Sequence, residues 1–268
     1  MAVLVVQNAA NCPIGPLGDW LVAAGLELDV RDSTALPDLG GYDGLIVLGG
    51  MQSANDDECA PVRALLARAL ADEVPTLGIC LGAQLLAVAL GGVVGPNPEG
   101  PEYGALLVAK RANTATDPLF RDLPITPDVI QWHHDAVLQL PASAVHLASS
   151  PGCEVQAFRV GRLAWGIQFH IETTPEVVRA WAAEDDFDLD DDTLERILQR
   201  TDAVHSDIAE VWPRFAAAFA GVVTDPASVP ARRPLRMATA EPVTDPAAIR
   251  AALAAEAQAA HRPPTFGP

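Results

Sequence analysis

Cys80 is flanked symmetrically by glycine, as Gly78-Ile79-Cys80-Leu81-Gly82, directly after an apolar stretch at residues 75–79. A strand that ends there in a tight turn and passes into a helix at Leu81 presents the sulfur at a helix N-terminus. This has the form of the G-x-S-x-G nucleophile elbow with sulfur in place of oxygen. Small neighbours let a strained turn pass close to its surroundings. The positive end of the helix dipole and the free N–H groups favour the thiolate, which is the nucleophilic form. The Leu81 N–H would face an oxyanion formed on an attacked carbon. The alternative reading is a small buried core residue, the ordinary state of a free cysteine.

A cysteine nucleophile needs a base, and the base needs an orienting group. Trp165-Gly166-Ile167-Gln168-Phe169-His170-Ile171-Glu172 is an apolar strand pattern that runs into His170 and then Glu172. Residues i and i+2 of an extended segment share a side. His170 and Glu172 can therefore project together, the carboxylate holding the imidazole tautomer and stabilising its charged form. A capping or solvent-facing histidine is the competing reading. A third piece is Gly49-Gly50, after apolar residues 45–48. Paired glycines at the carboxyl end of a strand let backbone N–H groups turn toward a ligand. Ligands bind at that edge in open α/β sheets, although an ordinary strand-to-helix turn would carry the same residues.

The elements that must position these groups follow from the apolar runs. Stretches rich in β-branched residues recur at 3–6, 45–48, 75–79, 145–148 and 163–169, with helical patterns at 16–24 and 61–72. Alternating strands and helices predict an α/β fold with an open, mostly parallel twisted sheet covered by helices on both faces. Residues 95–162 carry more Pro and Gly and predict shorter strands and loops. No internal repeat is present.

Composition narrows the class. Half of the 268 residues are hydrophobic, which excludes disorder for most of the chain. The net charge is −18, and Lys110 is the sole lysine, so there is no basic patch to grip a phosphate backbone and no nucleic-acid partner is expected. Residues 77–95 approach the roughly 20-residue length of a membrane span. Glycines at 78, 82, 91, 92 and 95 argue against that reading, and no membrane association is expected. Cys12, Cys59, Cys80 and Cys153 are too far apart for a zinc knuckle or a CxxC pair. They read as reduced thiols of a cytoplasmic protein, with neither metal nor cofactor. The N-terminus lacks a basic region and a small-residue cleavage site, and reads as a first strand.

The three chemical pieces together resemble the class I, triad-type glutamine amidotransferase domain, with its flavodoxin-like sheet. They stand in the family's order as Gly49-Gly50-Met51-Gln52-Ser53, Gly78-Ile79-Cys80-Leu81-Gly82-Ala83-Gln84 and Phe169-His170-Ile171-Glu172. The resemblance covers about residues 1–182 and is nearest the glutaminase domain of GMP synthase and its stand-alone relatives. It implies that Cys80 attacks the side-chain amide of L-glutamine, that His170 shuttles protons and that Glu172 orients it. It further implies an oxyanion hole from the Gly50 and Leu81 N–H groups, and a substrate contact from Gln84 beside Gly49. A γ-glutamyl thioester would form, ammonia would leave, and water would release glutamate.

The departures are Ile171, where the family carries proline, and His134 in Gln131-Trp132-His133-His134-Asp135, where it carries glycine. Proline fixes φ but offers no catalytic atom. No phosphate-binding G-x-x-x-x-G-K-[ST] loop is found, and residues 183–268 are too few and too rich in Pro and Ala for an ATP-using domain. An ammonia-accepting synthetase or transferase is therefore expected as a separate chain. Hydrolysis of other γ-glutamyl compounds, peptides or amines, is the second reading, and a non-catalytic binding protein of the same fold is the third.

Beyond residue 182 the pattern changes. An acidic run at 184–192 precedes apolar residues at three- and four-residue steps, including Leu194, Ile208, Trp212, Phe215 and Phe219. This predicts an acidic linker and one amphipathic helix over 193–222, the acids favouring its positive end. Its apolar face must dock on this domain or on a partner, with His205 on the solvent side. Residues 223–268 read as a mobile tail with one short helix near 246–260.

Overall fold

The computed structural model describes residues 1–185 and 189–230. Its strands are β1 (Ala2–Gln7), β2 (Glu27–Asp32), β3 (Gly44–Val47), β4 (Thr76–Ile79), β5 (Val93–Pro96), β6 (Glu102–Leu107), β7 (Ala109–Lys110), β8 (Asp128–His133), β9 (Asp135–Gln139), β10 (Val145–Ser149), β11 (Ala157–Val160) and β12 (Ala164–Ile167). The helices are α1 (Gly15–Ala23), α2 (Ala60–Ala71), α3 (Leu81–Ala89), α4 (Pro175–Glu184), α5 (Asp191–Val211) and α6 (Pro213–Thr224).

The main sheet runs β2-β1-β3-β4-β12-β11-β10-β7. Its first five strands are mutually parallel, and β11, β10 and β7 continue it antiparallel. The parallel part has the flavodoxin-like order. Both faces are apolar, as buried parallel strands require. Val3, Val5, Ile46 and Ile79 face a core layer shared with Leu17 and Leu21 of α1 and with Phe215 and Phe219 of α6. Leu4, Val6, Leu45 and Val47 face a second layer with Val62 and Leu66 of α2 and Leu85 of α3. Two antiparallel ribbons, β5 with β9 and β6 with β8, stand beside the sheet.

The C-terminal pattern forms two helices, not one. Pro213 lacks an N–H and its ring crowds the preceding turn, so α5 stops at Val211 and α6 starts at Pro213. Asp190 caps α5, accepting from the Thr193 N–H at 2.9 Å, with Asp191 and Asp192 in the first turn. Trp212, Phe215 and Phe219 are fully buried in this chain's own core. His205 is half-buried rather than solvent-facing: Nδ1 donates to Thr201 O at 2.7 Å, and Nε2 accepts from Thr173 Oγ1 at 3.2 Å. The helix expected near 246–260 and most of the expected tail lie outside the described residues.

Candidate active site

Cys80 joins β4 to α3 with φ 50°, ψ −109°, a left-handed backbone held by a non-glycine residue. Its N–H continues the sheet ladder to Ile167 O at 2.8 Å, and its carbonyl accepts the first helical bond, from Gln84 N, at 3.0 Å. The flanking glycines are sterically required. A Cβ on Gly82 would lie 2.0 Å from Val47 O, and one on Gly78 would lie 2.5 Å from Gly82 O. The elbow expected from the sequence is present, strained and locked by close backbone contacts. Leu81 is the first residue of α3, so its N–H has no partner within the helix.

The Gly49-Gly50 turn after β3 approaches the same point. A Cβ on Gly49 would come within 3.2 Å of His170 Cε1 and 3.7 Å of Cys80 Cβ. One on Gly50 would meet Leu81 Cδ2 at 2.8 Å. Only glycine lets backbone lie this close to both side chains.

His170 follows β12 and is pinned to β8 by two backbone bonds with Ile130, at 3.1 and 2.8 Å. Its ring lies 4.7 Å from the Trp181 ring, and the ring of the preceding Phe169 lies 5.3 Å from that of Trp212, tilted against it. Nδ1 donates to Glu172 Oε1 at 2.6 Å, and both residues are buried. The other carboxylate oxygen accepts from the Ile171 N–H at 2.8 Å, a donor that a proline there could not supply. Burial by itself drives His170 toward neutrality, but the Glu172 charge and then the Cys80 sulfur outweigh it and raise its pKa to about 10. The Cys80 sulfur raises the ring's pKa both by its charge and as a hydrogen-bond acceptor, although Nε2 meets no partner at full hydrogen-bond geometry among the described residues. Catalytic bonds in unliganded sites are commonly long and tighten around substrate.

Cys80, Gly50 and Gln84 line a cavity of about 370 Å³ together with Trp132, Asp135 and Asp185. His134, also in its lining, has Nε2 2.9 Å from Tyr103 Oη and 3.4 Å from Asp185 Oδ2. Asp185 also accepts from Trp132 Nε1 at 3.2 Å, so the acidic run begins at the site before it caps α5. All the residues expected in the site are brought together. One was missed: Gln168 Nε2 lies 3.6 Å from the Cys80 sulfur. The alternation that pairs His170 with Glu172 extends back to residue 168 and would have found it.

Glu102, His133 and Cys153 bring three potential ligand atoms within 4.8 Å of one another. Each is already engaged. Glu102 accepts from Ser150 Oγ at 2.9 Å and from Gln156 Nε2 at 2.7 Å, and its Oε2 lies 3.1 Å from His133 Nε2. Cys153 donates to Val155 O at 3.7 Å, and burial, with the Glu102 charge adding, pushes its thiol up to about 12. A thiol held protonated in a closed hydrogen-bond network is a poor metal ligand. Cys12 is likewise pushed up to about 12, by burial first and then by the nearby Cys80 and Glu172 charges.

The topology and the strained cysteine at the sheet's carboxyl edge define an α/β protein of the cysteine-elbow type. The chain belongs to the glutamine amidotransferase class-I family, whose model matches residues 19–187. It is 32% identical over 171 residues to a glutamine-hydrolyzing GMP synthase subunit from Haloarcula marismortui, covering 61% of this chain and 80% of that one. It is 33% identical to gamma-glutamyl peptidase 3 of Arabidopsis thaliana, covering 53% of this chain and 59% of that protein. Matches to undivided GMP synthases span only 24% to 26% of those proteins. A glutamine amidotransferase crystal structure from Thermotoga maritima superposes with a TM-score of 0.70 at 26% identity, covering 82% of this chain and 98% of that one. No helix among the described residues is long and apolar enough to cross a membrane.

Proposed function

We propose that the chain hydrolyses the side-chain amide of L-glutamine through a Cys80–His170–Glu172 triad and supplies the ammonia to a separate synthetase or transferase. The observation that carries this is the meeting of the Cys80 elbow with the 2.6 Å His170–Glu172 pair at one sheet edge. The Cys80 thiolate attacks the γ-carbonyl carbon, and the carbonyl π pair moves onto oxygen, where the Gly50 and Leu81 N–H groups receive it. The oxyanion collapses, the C–N bond breaks, and His170 Nε2 gives its proton to the departing nitrogen. Water then gives a proton to Nε2 and attacks the thioester. The C–S bond breaks, releasing glutamate and restoring the thiolate. Glu172 holds Nδ1–H throughout, which leaves Nε2 for the exchange.

Gly49 lets the substrate chain pass, and Gln84 contacts it. Gln84 Nε2 is committed to Asp135 O at 3.0 Å and Gln168 Oε1 at 3.1 Å, so Gln84 meets substrate through its Oε1, as an acceptor for the α-ammonium group. The four free cysteines suit a reducing, cytoplasmic setting.

A second reading is favoured by the cavity, which extends past Cys80 to Asp135 and Asp185 and leaves room for a larger leaving group. That reading is hydrolysis of a γ-glutamyl peptide or amine, in line with the peptidase relative. A substrate panel separates the two. Glutamine should give glutamate and ammonia, faster when the ammonia acceptor is added. Rapid turnover of γ-glutamyl amines with negligible glutaminase activity, acceptor present, would overturn the first reading.

A further inference from the structure

Among the described residues, two buried groups outside the triad lie within hydrogen-bond reach of the Cys80 sulfur. The Trp132 carbonyl lies 3.9 Å away and can only accept. The Gln168 amide nitrogen lies 3.6 Å away and can only donate. The carbonyl suits a thiol and opposes a thiolate, while the amide suits the thiolate. Which form this wall of the site favours therefore depends on the direction in which the Gln168 amide points.

That direction is fixed from a distance. The anchor is Asp135 O, a backbone carbonyl that cannot donate. It accepts from Gln84 Nε2 at 3.0 Å and from His133 Nδ1 at 3.0 Å. Gln84 must therefore present its NH₂, which reaches Gln168 Oε1 at 3.1 Å. With its oxygen engaged there, Gln168 must turn its NH₂ toward the sulfur. On the far side His133 Nε2 meets Glu102 Oε2 at 3.1 Å, and Glu102 is held by Ser150 and Gln156. His133, Glu102, Gln84 and Gln168 are all at least nine-tenths buried, so water does not compete for these bonds. A reversed Gln84 amide would set its oxygen against the Asp135 carbonyl and the Gln168 oxygen, and a reversed Gln168 amide would set its NH₂ against that of Gln84.

We propose that Gln168 is a further catalytic residue, donating a hydrogen bond to the Cys80 thiolate, and that Gln84 is the positioning residue that fixes its amide polarity, with His133 and Glu102 holding the Asp135 carbonyl to which Gln84 donates. The chain starts on β6, crosses to β8, passes the turn to β9 and enters α3 before reaching the residue after β12. The β6–β8 ribbon thus reaches the sulfur twice, directly through the Trp132 carbonyl of β8 and indirectly through this chain. This rests on Cys80 being the nucleophile.

The test is alkylation of Cys80 by iodoacetamide, a small neutral reagent that needs no substrate contact, followed across pH with mass mapping of the adduct. Gln168→Met keeps the volume and removes the donor. It should slow alkylation at neutral pH by about tenfold, the range for a lost bond to a charged group, and move the profile to higher pH. KM for glutamine should change less than kcat. His133→Asn, whose amide can replace the Nδ1 donor, should keep most of the wild-type rate, whereas His133→Leu should shift the profile in the same direction as Gln168→Met by a smaller amount. If Gln168→Met lacks a cooperative unfolding transition, Gln84→Met carries the test and should give the same shift at smaller size. An unmoved profile in the folded variant overturns the proposal. Labelling at Cys12 or Cys59 in place of Cys80 would instead overturn the underlying assignment of the nucleophile.

Discussion

The two halves of the site are built by opposite means. The Cys80 elbow is local: within five residues, a strand end, a strained φ and two glycines that admit no Cβ fix the sulfur. The His170 half is assembled from afar. Ile130 of β8 pins its backbone, Trp181 of α4 packs on its ring, and Trp212, between α5 and α6, packs against the preceding Phe169. The Trp212 indole is itself held by a 2.9 Å bond to Asp128 O at the start of β8. The proposed nucleophile is thus a property of one turn, and the proposed base is a property of the tertiary structure. Mutations should separate them.

The largest effect is expected on the base. Glu172→Gln should lower kcat by roughly 10³–10⁴-fold, by analogy with loss of a triad carboxylate, while leaving the protein folded. The variant also has a pH signature. His170 is raised from 6.5 to about 10, so its proton persists through neutrality and is lost only as pH rises through about 10. The stability which that proton contributes is complete below about 6.5 and declines above it. Removing the Glu172 charge should therefore shift the alkaline limb of the rate profile to lower pH, as read from kcat between pH 6 and about 10.

Next comes Gly82→Ala. With a Cβ 2.0 Å from Val47 O, a backbone atom that cannot rotate away, the elbow must distort. We expect about 4 kcal/mol or more of lost stability by denaturant titration. Trp212→Ala should cost about 3–5 kcal/mol by leaving a cavity. Its signature should differ from that of Gly82→Ala: turnover should fall while Cys80 keeps its reactivity toward a small alkylating reagent. Equal losses of both would show that the halves are not independent. The smallest effect belongs to Ile171→Pro, which deletes the 2.8 Å bond to Glu172. It should lower stability by about 1.5 kcal/mol, the lower range for a bond to a charged group, with a modest fall in kcat.

The same contrast explains what the sequence revealed. β1, β3, β4 and the elbow were legible because short-range rules govern them: apolar β-branched runs, paired glycines and a cysteine between small residues. His170 and Glu172 were legible as a spacing of two, yet nothing local announced Ile130, Trp181 or Trp212 as their supports. Gln168 lay one step back along the same alternation. Pro213 carried the signal for the break between α5 and α6, since proline inside a helical pattern ends the helix before it. The contacts of His205, with Thr173 just past Glu172, depend on how α5 folds back and could not be read from the helix alone. The network of Glu102, His133 and Gln156 joins residues tens of positions apart, and no spacing rule reaches it.

The central claim is that these two halves meet at one reactive sulfur. It is tested most directly by treating the intact chain with a glutamine-like electrophile and mapping the adduct by mass spectrometry. The account predicts a single adduct on Cys80, blocked by excess glutamine and formed much more slowly in Glu172→Gln. Labelling on Cys12, Cys59 or Cys153 with Cys80 unmodified would contradict it.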